Sequence, residues 1–540
     1  MGLGAAGPVA QTAKPLEVTF QHGVASGDPT QTSVILWTRI TPEGAGGQIP
    51  YTWKLNPLDR RAGGAKSGSG VTGPDRDYTV KVDVGGLDPG RNYTFEFQAK
   101  GVTSPTGRTR TLPEGPTKDV VLAVVSCTLY PNGYFNAYDA IAKLDRVDAV
   151  LHLGDYIYEY GGPDTYGMNS AVAGERPHDP PHEIVSLADY RRRHAQYKAD
   201  PQTQAGHARA PWIVVWDDHE TANDSYMGGA QNHSPETEGD WNARKAVALK
   251  AYFEWMPIRD PAAGVSLAEA GMRSFHFGDL ASLIMVETRL TARDKQLVLK
   301  RDLPIVDGKP DIAAFKAKLN DPARRMMSPK QEAWIGAEAA RSVKAGHAWQ
   351  VLGNQVVMAR VLPFSPKKEL TAEQYAAVPE ANRKRLLEQE DSAALGLPTT
   401  LDMWEGYPVD RERLYGVLRQ AGARPIVVSG DSHSFWANEL HDDAGRLVAC
   451  EFGTTGVTSP GAGEVSPGVN MGSVIAKANK EVVFNDQISK GFVLLTLTRE
   501  EARGEMVAVS TIVAKDFKTS VVKTFATKPD GTGLSAFKEV

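Results

Sequence analysis

The chain has 540 residues, of which 41% are hydrophobic and 23% charged, with a formal net charge of -5. That length exceeds what one hydrophobic core ordinarily holds, so two or more domains are expected. A pI of about 6.2 excludes a general polyanion binder, which needs a basic face, although a local basic pocket is still allowed. No apolar run reaches the roughly 18 residues that a membrane span requires.

The first residues, MGLGAAGPVAQTAKP (1–15), are small, apolar and unpatterned. They read as the remainder of an export signal or as a flexible N-terminus, and the export reading is preferred. Residues 16–114 alternate short apolar segments (LEVTF, SVILWTRI, YTWKL, YTVKVDV, YTFEFQAK) with Gly, Pro and Asp turns. About seven such strands in about 100 residues predict an all-β sandwich of immunoglobulin or fibronectin type.

From Val120 the pattern changes, and residues 115–540 are expected to form one catalytic domain with a C-terminal extension. Six apolar runs end in chemically capable residues. VVLAVVSC reaches Cys127, and DAVLHLGDYIYEY reaches Asp155 and Tyr158. PWIVVWDDHE reaches Asp217, Asp218, His219 and Glu220. SLIMVETR delivers Glu287 and Arg289, HAWQVLGNQ delivers Asn354 and Gln355, and PIVVSGDSHSFW delivers Asp431 and His433. Continuous apolar runs of this length predict strands buried on both faces, with helices such as YFNAYDAIAKL between them. In open α/β sheets the ligand site lies beyond the carboxyl ends of the strands, so the six ends converge on one crevice. Segments 161–207 and 362–410 are long enough to serve as lids or specificity elements.

Each motif has a plainer reading. Asp155 could cap a helix while Tyr158 packs in the core. Adjacent acids after a buried strand, as at Asp217 and Asp218, repel unless a cation or base neutralises them. Asp431 and His433 alternate, so both can point the same way in an extended segment. Three such motifs in the order GD, DDHE and GDSH favour a metal site over separate structural roles. Cys127 is either a strand-end ligand or a small buried hydrophobe, whereas Cys450, inside LVACEF, reads as buried. His152 reads as a core histidine, and Arg191 to Arg193 as a solvated helix face. Trp404 and Tyr407 fit either the mouth of the site or the core.

GDYIYEY, WDDHE, GDSHSFW and EFGTTGVTSPG, with VASGDPTQTSVILWTRI near the start, resemble the PhoD-type alkaline phosphatases of the metallophosphoesterase superfamily, from about Val18 to near residue 515. SCT stands where the superfamily has Asp-x-His, Asp218 where it has Asn, and Asp431 where it has the first His of its last motif. These departures match the PhoD branch. The resemblance implies two packed sheets flanked by helices, with Asp155 bridging two metals. It further implies Cys127, Tyr158 and His433 on a ferric ion, and Asp218 and Asp431 on one or more calcium ions. Asp217 and Gln355 are additional ligand candidates.

For catalysis, Arg289 is the candidate donor to phosphate oxygens, because a guanidinium fits them in bidentate fashion. His219 and Asn223 are candidates for supplying or orienting a proton. The expected activity is hydrolysis of phosphate monoesters, and of diesters as an extension, on small phosphate esters, by a periplasmic or secreted monomer exported folded by a Tat-type route. No specific nucleic-acid partner is expected. The rivals are a phosphodiesterase or phospholipase D-like enzyme on the same site, and a calcium-dependent surface-binding protein.

Overall fold

The computed structural model describes residues 17–540 apart from 45, 59–62, 163–165, 167–169, 399, 466–468 and 532. The export reading falls on residues 1–15, which lie outside the described residues. Among the described residues no helix is long and apolar enough to cross a membrane.

Two large sheets pack face to face. The ten-stranded sheet has Asp119–Val125, Ala149–His152 and Trp212–Val214 parallel at its centre. The seven-stranded sheet has Ala281–Met285, Trp349–Gly353, Pro425–Ser429 and Leu447–Gly453 parallel at its centre. The apolar runs are continuous because both faces of each central strand are covered. Val120, Leu122 and Val124 point between the sheets, where they meet Leu283, Trp349, Val351 and Val428. Ala123 and Val125 point outward, against Tyr138 and Ile141 of the helix Asn136–Ala142 and Tyr190 of the helix Leu187–Ala199. The far face of the seven-stranded sheet (Ile284, Leu352, Val427) is covered by the helices Pro329–Lys344 and Pro408–Gln420, through Ile335, Leu414 and Leu418. The result is the helix–sheet–sheet–helix sandwich that the family resemblance implied. Cys450 is buried between the sheets as expected, and both cysteines are free thiols. Trp404 and Tyr407 lie in the core, and His152 stacks on Trp212 and meets Tyr138 through a hydrogen bond of 2.9 Å.

The N-terminal segment is all-β, and one of its two layers is shared. Its separate sheet contains Ile49–Pro57, Lys66–Thr72, Asn92–Ala99, Val102–Thr103 and Gly107–Arg110. Its other layer, Val24–Gly27, Val34–Arg39 and Thr79–Val84, continues the ten-stranded sheet by pairing Gly27 with Trp212. Phe95, Phe97, Val34 and Leu36 fill the space between these layers. At the seam a side chain on Gly27 has no room: a Cβ there would lie 2.1 Å from the Pro257 carbonyl oxygen and 2.6 Å from that of Trp212.

The arginine triplet corrects the sequence reading. Only Arg192 is largely exposed; Arg191 pairs with Glu254 at 2.7 Å. Arg193 is fully buried and donates to the carbonyls of Asp179, Pro180, Tyr158 and Tyr160. It therefore clamps the loop that carries Tyr158, a role hidden from periodicity because its partners are backbone atoms distant in sequence.

The seam generates a stability test. Gly27→Ala should destabilise the protein by about 1–3 kcal/mol, the usual cost of forcing one methyl group into a packed site. Denaturant unfolding measures it, and an unshifted midpoint would mean that the seam relaxes freely.

Candidate metal centre

The carboxyl ends of the central strands of both sheets meet at one place. Cys127 follows Val125, Asp155 follows His152 by three residues, and Asp217 and Asp218 follow Val214. Asp431 and His433 follow Ser429 of the other sheet, and an isolated parallel bridge between Ser126 and Gly456 links the sheets at this end. Three groups of side chains bring potential ligand atoms within 4.8 Å of one another: Cys127, Asp155 and His433; Asp155, Asp218 and His219; and Asp155, Asp217, Asp218 and Asp431. Asp155 belongs to all three. No helix starts at Asp155; its carboxylate accepts from the Tyr158 hydroxyl at 3.1 Å and from the His219 amide at 3.4 Å.

The local backbone is forced. Cys127, Asp155, Asp431 and His433 all adopt left-handed φ values of 56–61°, a conformation that costs a non-glycine residue about 1–3 kcal/mol. Neighbouring bonds hold it: the Cys127 and Thr128 amides donate to the carbonyls of Gly154 and Asp155 at 3.1 and 2.8 Å. Gly154 (φ 113°) must be glycine, because a Cβ there would stand 2.3 Å from that of Asp217. Glu220 then staples two strand ends together, accepting from the amides of Asp155 at 3.0 Å, Asp217 at 2.8 Å and Tyr156.

On one side the donors are mixed. Tyr158 receives a hydrogen bond from Ser459 at 2.6 Å and lies 3.3 Å from His433 Nε2. His433 Nδ1 faces the Pro460 carbonyl at 3.0 Å and the Tyr166 hydroxyl at 2.8 Å. Such a contact to the distal ring nitrogen fixes the tautomer and orientation of a ligating histidine. On the other side the donors are carboxylates. Buried Arg289 binds Asp217 through Nε and both oxygens of Asp402 through Nη1, at 2.8 and 2.9 Å. Its Nη2 lies 3.5 Å from Asp431 and 3.8 Å from Asp218.

The remaining sequence candidates fall in different places. His219 is buried, stacks on Tyr158 at 4.1 Å between ring centroids and bonds Glu159 through Nδ1 at 2.6 Å. Glu159 also accepts from the Asn223 amide at 2.7 Å and the Asn232 side chain at 2.8 Å. The Asn223 side chain turns away to Gln231, at 2.9 Å. Gln355 spends its amide on the segment that follows the strand Ala281–Met285, donating to the Val286 carbonyl at 2.8 Å and accepting from Thr288 at 2.6 Å. Sequence reasoning missed Asp402, Glu159 and Ser459. Glu159 adjoins GDYIY and was within reach of that motif, whereas Asp402 lies in an unpatterned loop and carries no local signal.

The electrostatics of the cluster call for cations. Burial raises the Asp155 carboxyl well above its usual range; His219 opposes this, and Asp218 and Asp217 add to it. Asp431 is raised for the same reason, by burial and then by Asp217. Asp217 is pushed to about 6 by burial and Asp218, against the pull of Arg289. Asp218 alone is held low, because Arg289 and His219 outweigh its burial. Burial, then Asp155 and Asp431, raise the Cys127 thiol. Asp217 Oδ2 is buried without a hydrogen-bond partner. Unpaired lone pairs among mutually repelling carboxylates fit a polyvalent cation, which would reverse these shifts.

The sequence profile of the PhoD-like phosphatase family matches residues 122–506, and that of the PhoD-like phosphatase N-terminal domain matches residues 5–113. The chain is 31% identical over 529 residues to alkaline phosphatase D of Bacillus subtilis (strain 168), covering 95% of this chain and 82% of that protein. It superposes on the solved structure of PhoD with a TM-score of 0.78 and 29% identity, over 96% of this chain and 92% of the other. These matches span both the catalytic sandwich and the β segment before it, and the chain belongs to the PhoD-like phosphatase family.

Proposed function

We propose that this phosphatase hydrolyses small phosphate monoesters at a multinuclear centre in which Asp155 is shared between a ferric site and a calcium site. The observation that carries the reading is the position of Asp155, whose carboxylate lies within ligand distance of two chemically different donor sets. Cys127, Tyr158 and His433 offer thiolate, phenolate and imidazole, which suit iron, and Asp217, Asp218 and Asp431 offer the carboxylate oxygens that suit calcium. A purely structural calcium site needs only oxygen donors, so the Cys127 side argues against a calcium-dependent adhesive protein.

Bound cations would neutralise phosphate charge and acidify a nucleophilic oxygen. The rest falls to the chain. Arg289 has its Nε and Nη1 committed to Asp217 and Asp402, so it holds the carboxylates apart at fixed spacing, and only Nη2 is left to meet a phosphoryl oxygen. Burial lowers His219 while Asp218, Glu159 and Asp155 raise it, and Glu159, 2.6 Å from Nδ1, is the partner that remains when cations occupy the aspartates. With Nδ1 donating to Glu159, Nε2–H is the proton source for the departing alkoxide. Glu159 acts through His219 by fixing its ring, in the way a buried carboxylate orients a catalytic imidazole.

Three measurements test this reading. Asp155→Asn should lose metal and nearly all turnover while its circular dichroism is unchanged; full metal content with normal activity would remove Asp155 from the centre. His219→Gln should slow alkyl phosphates by about 10²–10⁴-fold, the usual yield of general acid catalysis, and aryl phosphates much less, because an aryl oxide leaves without a proton. An equal loss on both esters would assign His219 to binding instead. The concentrated protein should be coloured by phenolate-to-iron charge transfer, and Tyr158→Phe should bleach it or shift the band. A colourless, iron-free protein with full activity on aryl phosphate would sink the iron assignment and leave the phosphatase intact.

A further inference from the structure

A cavity of about 610 Å³ opens directly beside Asp431 and Ser432, within the range of 300–1,000 Å³ typical of ligand pockets. Its walls are mainly carbon: Leu362, Phe364, Met403, Trp436, Met471 and Ile475 line it, between the segment after the strand Trp349–Gly353 and the helix Met471–Ala478. Three polar groups of the wall are already paired within the protein. Trp436 Nε1 donates to Ser432 at 2.7 Å, Gln487 donates to Asn485 at 2.7 Å, and Glu405 is paired with Arg411 at 2.8 Å. None of its described lining residues is Lys, Arg or His, whereas Glu388, Glu405 and Asp431 are acidic.

We propose that this cavity is the subsite for the alcohol portion of the substrate, and that it selects a neutral, apolar alcohol. The inference rests on the phosphatase reading above and narrows its substrate class. Continuity with the centre supports it: Asp431 is both a member of the carboxylate cluster and a wall of the cavity. A phosphate held at the cluster therefore has its ester substituent within reach of the apolar wall. Charge decides the class. A substituent with further phosphates or a carboxylate would find no Lys, Arg or His in the described lining to receive it, whereas an alkyl or aryl group gains by leaving water. A nucleoside polyphosphate or a polyanionic polymer fits this wall poorly. Glu388, 65% exposed at its side chain and 3.9 Å from Lys384, stands at the rim.

The test uses the full-length, metal-loaded protein and a series of linear monoalkyl phosphates, methyl to octyl, read as kcat/KM from released phosphate. The expected result is a rise of up to about fourfold per methylene, the factor that burying each one supplies, carried by KM. Leu362→Asp and, separately, Ser392→Trp should flatten the series while leaving methyl phosphate turnover unchanged. Leu362 is 46% exposed, so its replacement spares the core; Ser392 lines the cavity, and a Trp there would fill it. An ω-carboxyalkyl phosphate should fall below the alkyl ester of equal length. A flat series in the unaltered protein would overturn the proposal, as would unchanged slopes in both variants or a preference for an ω-trimethylammonium ester over its neutral match. If no ester, methyl phosphate included, releases phosphate, the phosphatase reading itself fails. Turnover of methyl phosphate with a flat series would defeat the subsite alone.

Discussion

Four aspartates repel one another at the strand ends, Asp155, Asp217 and Asp218 buried and Asp431 partly exposed, and the surrounding structure holds them there. Two like charges about 4 Å apart cost several kcal/mol at the effective dielectric of a protein interior. Adding Asp402 gives five carboxylates against the guanidiniums of Arg289 and Arg293, which leaves three formal negative charges before any phosphate arrives. Relief through protonation would disarm the cluster as a ligand set. Relief through cations keeps every oxygen available, and it makes the protein's electrostatics and its chemistry the same requirement.

That requirement explains why the frame is so stiff. The cluster is assembled from loops of two sheets, and either sheet alone would allow its acids to drift apart. Hydrophobic packing between Val120, Leu122 and Val124 and their partners across the sandwich fixes the separation of the strand ends. The bridge of Ser126 to Gly456 and the bond from Ser459 to Tyr158 close the remaining gap. Backbone strain at Cys127, Asp155, Asp431 and His433 is then tolerated, because packing and amide bonds over-determine each turn. Arg193 contributes from outside, holding the Tyr158 loop through its carbonyls.

Much of this could be read from residue order. Buried parallel strands leave continuous apolar runs, so the strands and the direction of their ends were legible, and the strand ends named Cys127, Asp155, Asp217, Asp218, Asp431 and His433 together. Interactions that join distant loops through single side chains left no such trace. Asp402 meets Arg289 across 113 residues, and neither its neighbours nor any periodicity marks it. The pairing of Gly27 with Trp212 was likewise invisible, because a strand carries no record of which edge it extends. Arg193 was misread since a helix-face pattern separates polar from apolar residues, and a buried arginine that serves carbonyls counts as polar.

The placement of Arg289 bears on how such a centre divides its labour. A guanidinium free to bind phosphate in bidentate fashion would leave buried Asp217 without its cationic partner, a penalty of several kcal/mol, while Asp402 would keep Arg293. In this structure Arg289 gives Nε and Nη1 to those two carboxylates and keeps only Nη2 near Asp431 and Asp218. On the proposed reading its main contribution is therefore to set the spacing of the oxygens offered to cations, and neutralisation of the phosphate would fall chiefly to those cations. Asp402 in turn lies in the loop that also carries Thr400 and Met403, two residues of the cavity wall. Spacing of the proposed ligands and shape of the proposed subsite are thus tied to one loop, so a change of substrate preference through that loop would also act on Asp217 by way of Arg289.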